Sequence, residues 1–349
     1  MVHPQRVTQR HIADVLGLSV NTVSRALAGK GQVSDATRDA IRTEAERLGY
    51  HPNSHARSLV SGTTMVVGLV ITNPSNPFYA ALISAVEQRC RTAGYSVLLL
   101  VTEESEQNEQ EAVQQLLRFG VDAVLGVPIQ NRPDAWESLA KAGLPVVLLS
   151  RDIPALGFDF VGIDAEQGIH DAVLGAVGEG GVRRAWLFEE DLEISTTAER
   201  IAGFERALSD LGAAPADSLV IKVPTRRTGG ASLPWRPDDA YRMAAGLITP
   251  GNHPGLVVTG NDYFALGVYK ALRECGLRVP DDIMVLGYGD HPFAAYLEPA
   301  LSTVRLPAHA MGTRAVDFLL ARLADPDAPR RAALLPPDPV HRASTRGAA

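Results

Sequence analysis

The sequence of 349 residues has little cysteine and no long apolar run. Its two cysteines, Cys90 and Cys275, are too few and too far apart for a disulfide framework or a cysteine-based zinc site. No run of apolar residues is long enough for a membrane helix, and the opening MVHPQRVTQR lacks the apolar segment of a signal peptide. These absences predict a cytoplasmic protein that keeps its thiols reduced and has no membrane partner.

Catalytic motifs are also missing. The chain has no GxSxG, HExxH or GxxxxGK[ST] motif, and no GxGxxG after a predicted strand. Its nine histidines are scattered without the spacing of metal ligands. The sequence therefore predicts a binding protein without cofactor, metal or catalytic residues rather than an enzyme.

The charge that is present is unevenly distributed. The formal net charge of the chain is −7, but residues 1–60 contain eight Lys or Arg and five Asp or Glu. The remaining residues contain 25 basic and 35 acidic side chains. A basic head on an acidic body favours a polyanion partner for the head alone.

Apolar residues at helical spacing predict three short helices in the head, residues 1–50. Gly17 can adopt the left-handed conformation that ends the first helix, and Ser19 and Ser34 are good N-caps for the next two. A tight glycine-containing turn between short helices is typical of a helix-turn-helix. The residues expected in the small core are Ile12, Ala13, Val15, Leu16, Val23, Ala26, Leu27, Ile41, Ala45 and Leu48.

The second of these helices has an outer side suited to reading DNA. Asn21 can pair with an adenine edge, Arg25 with a guanine edge, and Val20 can pack on a thymine methyl. Hydroxyl groups and backbone amides at helix starts suit phosphate oxygens. The predicted DNA contacts of the head are Thr8, Ser19, Val20, Asn21, Thr22, Ser24, Arg25 and Ser34. The alternative is a three-helix packing domain without a ligand.

The stretch from Val7 to Leu59 resembles the head of the lactose-repressor (LacI/GalR) family of bacterial transcription regulators. Its segments TVSRAL and LGYHPNSHARSL are the most typical. The resemblance implies binding of double-stranded, pseudo-palindromic operator DNA, with Val20 and Asn21 as the recognition pair and Arg25 as a further base reader. His11 replaces an Asp that is usual in the family, and Gln9 stands where an apolar residue is common, so we expect local effects on packing or phosphate contacts.

Residues 51–64 form a linker whose segment NSHARSL is too short for a stable isolated helix. The resemblance implies a hinge helix that forms on the operator and wedges Leu59 into the minor groove. The predicted DNA contacts of this hinge are Asn53, Arg57 and Leu59. The alternative is a plain linker.

From residue 65 onward, short apolar strands alternate with helices. MVVGLVI, YSVLLLV, DAVLGVP and PVVLLS predict one parallel sheet, and FVGI, RRAWLF, SLVIKV, GLVVTG and IMVLGY predict a second series. Two such series predict an α/β core of two doubly wound subdomains. Ligands of these folds bind beyond the carboxyl ends of the strands, here in the cleft between the subdomains.

The body resembles the effector-binding core of the same family, which is similar to periplasmic binding proteins of type I. The resemblance implies a homodimer and a core, residues 65–330, in which the chain crosses between subdomains near residues 163, 290 and 323. The implied N-subdomain is about 65–163 and 291–323, the C-subdomain is about 164–290 and 324–340, and residues 341–349 are a tail.

Strand ends and matched motifs predict an effector pocket. Phe78 and Tyr79 offer an aromatic platform, and Arg200 in TAERIAGF matches the arginine that often reaches the ligand in the family. The alternatives are core packing for Phe78 and an ion pair of Arg200 with Glu199 or Glu205. The predicted effector contacts are Asn76, Phe78, Tyr79, Arg151, Arg200, Trp235, Asn261 and Asp290.

Two features depart from the family pattern. Gly289, in GYGD, replaces an Asp that commonly holds the ligand, which weakens any transfer of sugar specificity. The loop at residues 224–240 is long and rich in Gly, Pro and Arg. Trp235 at its tip could stack on a sugar, and Arg226, Arg227 or Arg236 could bind an anion; the alternative is a solvated loop.

The combined interpretation is a dimeric repressor controlled by a small molecule, with a sugar or sugar derivative preferred. The alternatives are a non-sugar effector, a corepressor or no effector. A solute-capture module for a transporter would need a signal peptide and no DNA-binding head, whereas the sequence shows the reverse.

Overall fold

The computed structural model describes residues 7–27, 31, 33–50, 62–130, 132–178, 182–212, 218–225 and 235–346. The chain divides into two compact units, Met1–Thr64 and Met65–Ala349, called here the head and the core. The predicted hinge contacts Asn53, Arg57 and Leu59 lie outside the described residues, as do Arg226 and Arg227.

Three helices pack around one small apolar centre in the head. Ile12, Val23 and Ile41, one from each helix, have no exposed surface. Gly17 ends the first helix with φ 65°, in the left-handed region where glycine is favoured. Val15 was wrongly placed in the core: it is 55% exposed, because it lies on the side of the helix turned away from the other two. The helices are α1 (Gln9–Leu16), α2 (Val20–Leu27) and α3 (Asp35–Arg47).

The first sheet of the core has six parallel strands in the order β11-β5-β4-β3-β1-β2. Its central strands are continuous apolar runs buried on both faces, as parallel sheets covered by helices require. The strands are β1 (Val66–Ile71), β2 (Ser96–Val101), β3 (Ala123–Gly126), β4 (Val146–Leu149), β5 (Asp159–Ile163) and β11 (Ala332–Leu335). The helices packed on it are α4 (Pro77–Thr92), α5 (Glu106–Phe119), α6 (Asp134–Lys141) and α11 (Ala308–Ala324).

The second sheet has four parallel strands in the order β7-β6-β8-β9, flanked by a two-stranded antiparallel pair, β10 and β12. Its strands are β6 (Ala185–Glu190), β7 (Ser218–Val223), β8 (Leu256–Thr259) and β9 (Met284–Leu286), and the pair is β10 (Thr303–Arg305) and β12 (Asp338–Val340). The helices are α7 (Ala165–Val177), α8 (Ser195–Asp210), α9 (Pro237–Leu247) and α10 (Asp262–Glu274). Two doubly wound subdomains are therefore present.

The expected boundaries between the subdomains need correction. FVGI belongs to β5 of the first sheet, not to the second series. Residues 291–305 lie with the C-subdomain, since Leu286 bridges to Ser302 and Val304 is buried in the core of the second sheet. β11, expected in the C-subdomain, pairs with β5 of the first sheet. The chain thus crosses after β5, between β10 and α11, and between β11 and β12. β10 (TVR) and β12 (DPV) each contain a charged residue, so no apolar run marks either of them in the sequence.

Within the described ranges, no helix is long and apolar enough to cross a membrane. The same residues contain no group of three or more His, Cys, Asp or Glu side chains that could hold a metal ion.

Candidate functional site

The outer side of α2 forms an exposed polar surface, called here the reading face (Val20, Asn21, Ser24 and Arg25). Val20 is 43% exposed although it is apolar, and Asn21 and Arg25 are also exposed. Ser24 is half-buried. Val23 and Ala26 hold the opposite side of the helix in the head core. The four side chains are thus gathered on one face by helical spacing, as a major-groove contact requires.

Local contacts fix the start of α2 and the direction of Arg25. The Ser19 hydroxyl accepts a hydrogen bond from the Thr22 amide at 3.0 Å, which confirms Ser19 as the N-cap. The stem of Arg25 lies against Gly31: a Cβ on this glycine would lie 3.4 Å from Arg25 Cδ. The stem is therefore supported by backbone, while the residue remains exposed.

Side-chain caps also organise the two other helix starts of the head. Ser34 accepts the Thr37 amide at 3.2 Å, as an N-cap does. The Thr8 amide donates to His11 Nδ1 at 3.0 Å. The His11 side chain therefore lies at the start of α1 within hydrogen-bond distance of the Thr8 amide. Thr8, Ser19 and Ser34 are all exposed, so their hydroxyls can meet phosphate oxygens.

In the core, a cavity of about 100 Å³ lies beyond the carboxyl ends of the strands, with walls from both subdomains. It has the position expected for a ligand in a doubly wound fold. Seven of the eight predicted effector contacts line it: Asn76, Phe78, Tyr79, Arg151, Arg200, Trp235 and Asn261.

Arg151, on the N-subdomain wall, is held by a bidentate ion pair. Its two terminal nitrogens donate to the Glu104 carboxylate at 2.9 and 2.7 Å, and one also donates to the Pro128 carbonyl at 3.2 Å. Burial by itself lowers the pKa of Arg151, but the Glu104 carboxylate more than offsets this and leaves that pKa above its ordinary value. Arg151 is therefore a charged group whose charge is already matched.

Arg200, on the C-subdomain wall, is held in the same way by Glu189. Its Nε and one terminal nitrogen donate to Glu189 at 2.8 and 2.7 Å. Burial lowers the pKa of Arg200, but the Glu189 carboxylate offsets this and raises it overall. The expected alternatives, Glu199 and Glu205, are not its partners, because the end of β6 places Glu189 beside Arg200 in the first half of α8.

Trp235 is part of the cavity wall rather than the tip of a solvated loop. It is 6% exposed, and its indole nitrogen donates to Glu190 at 2.9 Å. Its ring stacks on Tyr263 with centroids 5.9 Å apart and planes 10° apart. Burial raises the pKa of Glu190. By contrast, Arg236 is exposed and is not among the described residues that line the cavity.

Asn76 and Asn261 occupy equivalent places at the starts of α4 and α10. Each side-chain oxygen accepts a helix amide at 2.9 Å, from Phe78 and Tyr263 respectively. The caps fix both asparagines in the cavity wall and leave their amide NH₂ groups as the donors for a ligand.

The aromatic pair on the first wall serves both the packing and the cavity. Phe78 and Tyr79 meet edge to face with centroids 5.3 Å apart. Phe78 is half-buried against the core of the first sheet and also lines the cavity, so it packs on the core and is placed where a ligand could reach it. Burial raises the pKa of Tyr79, which therefore keeps its hydroxyl proton at neutral pH.

Asp290, the eighth predicted effector contact, is not among the residues that line the cavity. Its carboxylate accepts bonds from Arg305 at 2.8 Å and Arg342 at 2.7 Å. Asp290 thus ties the turn after β9 to β10 and to the segment after β12. Gly289 next to it has φ 131°, which L side chains rarely adopt, and a Cβ there would lie 3.0 Å from His291 Cε1. The turn therefore favours glycine at position 289.

His291 is a cavity residue that sequence reasoning missed. It is 3% exposed, and burial lowers its pKa to about 4, so the ring is neutral at physiological pH. Its Nε2 has no hydrogen-bond partner among the described residues, and the same holds for the Thr225 hydroxyl, which also lines the cavity. Its backbone amide donates to Asp262 at 2.7 Å. No sequence signal separated His291 from the eight other histidines.

Segments of both units, the head and the core, match known protein families. Residues 8–53 match the bacterial regulatory proteins of the lacI family, and residues 177–345 match a periplasmic binding protein-like domain. The chain is 33% identical to the HTH-type transcriptional regulator GalR of Escherichia coli over 319 residues, which covers 91% of this chain and 89% of that protein. It is 29% identical to the ribose operon repressor of Haemophilus influenzae, covering 97% of this chain and 98% of that protein.

Solved structures give the same fold for the whole chain. A lac repressor dimer bound to operator and the anti-inducer ONPF matches with a TM-score of 0.84 and 23% identity, covering 98% of this chain and 99% of that one. A complex of the transcriptional regulator CelR with cellobiose matches with a TM-score of 0.67 and 25% identity, covering 97% and 100%. An N-terminal helix-turn-helix domain followed by a periplasmic-binding-protein-like α/β core is therefore the architecture of this chain.

Proposed function

Because this chain belongs to the LacI family of bacterial transcription regulators, we propose that it is a dimeric repressor of a pseudo-palindromic operator. The observation that carries the proposal is the reading face on α2, with Val20, Asn21 and Arg25 exposed on a helix whose other side is packed. Side chains of these types contact base edges and thymine methyl groups in the major groove.

A homodimer gives the operator its proposed symmetry. Two identical heads related by a two-fold axis read two half-sites of opposite direction. The lac repressor match is a dimer bound to operator, which supports this arrangement. In the proposal Leu59 of the linker is the central wedge, flanked by Asn53 and Arg57.

The proposed control is a small molecule bound in the core cavity. Because both subdomains contribute walls, a ligand that contacts both favours one relative arrangement of the two, and only such a differential affinity can change DNA binding. A sugar or sugar derivative suits the aromatic surfaces and the asparagine NH₂ donors of the walls. The ribose operon repressor and the CelR–cellobiose complex among the similar proteins support this class.

The DNA part is tested with Arg25→Ala and a matched control, Arg42→Ala. Arg42 is exposed on α3, away from the reading face, so both variants remove one positive charge from the head. On a duplex selected from a random pool, Arg25→Ala should lose about 1–3 kcal/mol of binding free energy and relax one base position in each half-site. On unselected duplexes the two variants should lose equally, through the salt-dependent phosphate contribution alone. Equal losses on selected and unselected DNA for Arg25→Ala would refute base reading by α2.

The control part is tested by titrating ribose, galactose and cellobiose into the complex of the full chain with its selected duplex, followed by fluorescence anisotropy. If the sugar acts as an inducer, as we propose, one of these sugars should lower the affinity of the protein for its operator. A rise in affinity would replace induction with corepression, and no change with any of them would remove this sugar class from the proposal.

A further inference from the structure

The lining of the cavity contains more acidic than basic side chains. Its only arginine or lysine side chains among the described residues are Arg151 and Arg200, and each is already bound by two oxygens of one carboxylate. Glu190 adds a further buried carboxylate to the lining, and Glu103 adds an exposed one. The three acidic side chains of the lining thus outnumber its two guanidinium groups.

The balance determines which ligand charges the cavity can accept. An anion that enters needs cations or donors to replace its water, and a buried charge left unmatched is strongly unfavourable. Here both guanidinium charges are neutralised within 3 Å, and Glu190 lies 3.9 Å from Arg200 as a second acidic neighbour. His291 adds no charge, since its ring is neutral. The described walls therefore lack an unmatched positive charge with which to hold a phosphate or carboxylate.

Glu104 is the carboxylate through which this balance can be changed. Its side chain is 26% exposed, whereas Glu189, the partner of Arg200, is fully buried. Both lining positions, Glu103 and Glu104, lie in the turn that follows β2, so they meet the cavity from the same side. Removing the Glu104 charge would leave the buried Arg151 guanidinium facing the cavity without a counter-ion.

We propose that the cleft is selective against anionic ligands and takes a polyhydroxyl ligand without phosphate or carboxylate groups, because Glu104 occupies the guanidinium of Arg151 that would otherwise bind an anion. Glu104 is then a specificity-determining residue. The inference rests on the proposed function only in taking the cavity as the effector site.

The test measures binding of inorganic phosphate to the full chain by isothermal titration calorimetry. Glu104→Gln and Glu103→Gln change the net charge equally and leave the head identical, so any phosphate bound by the head contributes the same heat to both. Glu104→Gln should bind phosphate at least about tenfold more tightly than the wild type, equal to about 1.4 kcal/mol. Glu103→Gln should remain within about twofold, or about 0.4 kcal/mol. The double variant Glu104→Gln/Arg151→Gln should lose the gain, because the receiving cation is gone.

A second measurement uses the wild type alone and does not depend on the stability of a variant. Each probe sugar is compared with its phosphate ester: glucose with glucose 6-phosphate, and ribose with ribose 5-phosphate. The wild type should bind no phosphate ester more tightly than its parent sugar. The inference is overturned if an ester binds better, or if the wild type binds inorganic phosphate in a way that Arg151→Gln abolishes. It is also overturned if a folded Glu104→Gln gains no phosphate affinity. Failure of every sugar to alter operator affinity would instead count against the proposed effector control and leave these phosphate results intact.

Discussion

The head and the core use polar side chains in opposite ways. In the head, Asn21 and Arg25 are exposed and stand on a small apolar centre that supplies the rigidity. In the core, Arg151 and Arg200 are buried and are already bound to carboxylates before any ligand arrives. The head therefore presents exposed polar side chains to a large, charged partner. The core instead presents a small ligand with buried arginines that are already paired to carboxylates.

The comparison explains where binding free energy comes from in each unit. A duplex brings its own phosphates and base edges, so exposed donors gain partners when it binds. A small molecule in the core cavity must compete with hydrogen bonds that the protein already has. We infer that affinity for the small molecule depends on groups not yet paired, such as His291 Nε2 and the Thr225 hydroxyl.

The largest effect should come from breaking a buried pair in the core. Glu189→Gln leaves the Arg200 guanidinium without its matched charge, so the core should lose about 3–5 kcal/mol of unfolding free energy. Denaturant unfolding of the full chain measures this loss. Glu205→Gln on the exposed side of α8 is the control and should change it by less than about 0.5 kcal/mol. Similar losses in both variants would mean that the pair does not carry this stability.

In the head, two apolar residues of α1 that differ in burial provide a matched pair of variants. Ile12 has no exposed surface, so Ile12→Ala should cost about 2–5 kcal/mol. Val15 is 55% exposed, so Val15→Ala should stay within about 0.5 kcal/mol. Hydrogen exchange of head amides in the full chain separates the two, since only Ile12→Ala should increase it. Comparable exchange in both variants would place Val15 in the core after all.

A smaller effect is expected at the cap of α2. Ser19→Ala removes the oxygen that accepts the Thr22 amide and should cost about 1 kcal/mol of head stability. Ser19→Asn retains an acceptor at the same place and should restore most of it. Exchange of the α2 amides is again the measurement. A full loss in Ser19→Asn would show that the hydroxyl acts through something other than capping.

The head was predictable because its rules are local. Gly17, Ser19 and Ser34 mark helix ends through contacts within three or four residues, and the structure confirms each of them. The core prediction for Val15 was wrong because helical spacing identifies a stripe of apolar residues. It does not show how much of that stripe the neighbouring helices cover.

The core was predictable in class but less so in detail. Its apolar strands identified both sheets, and seven of the predicted effector contacts line the cavity. The partner of Arg200 was missed because Glu189 is brought to it by packing, not by sequence proximity. The ion pairs of Asp290 were missed for a similar reason, since Arg305 and Arg342 reach its carboxylate from other segments. Pairings of this kind depend on tertiary placement, which no local pattern encodes.

The most direct test of the central claim, that the head reads DNA as a symmetric pair, is selection of bound duplexes from a random pool by the full chain. The selection is made at near-physiological salt without added sugar, so that phosphate contacts alone do not dominate. The account predicts enrichment of a two-fold symmetric motif with an easily deformed central step, where the proposed Leu59 wedge enters. Absence of enrichment, or an asymmetric motif, would contradict it.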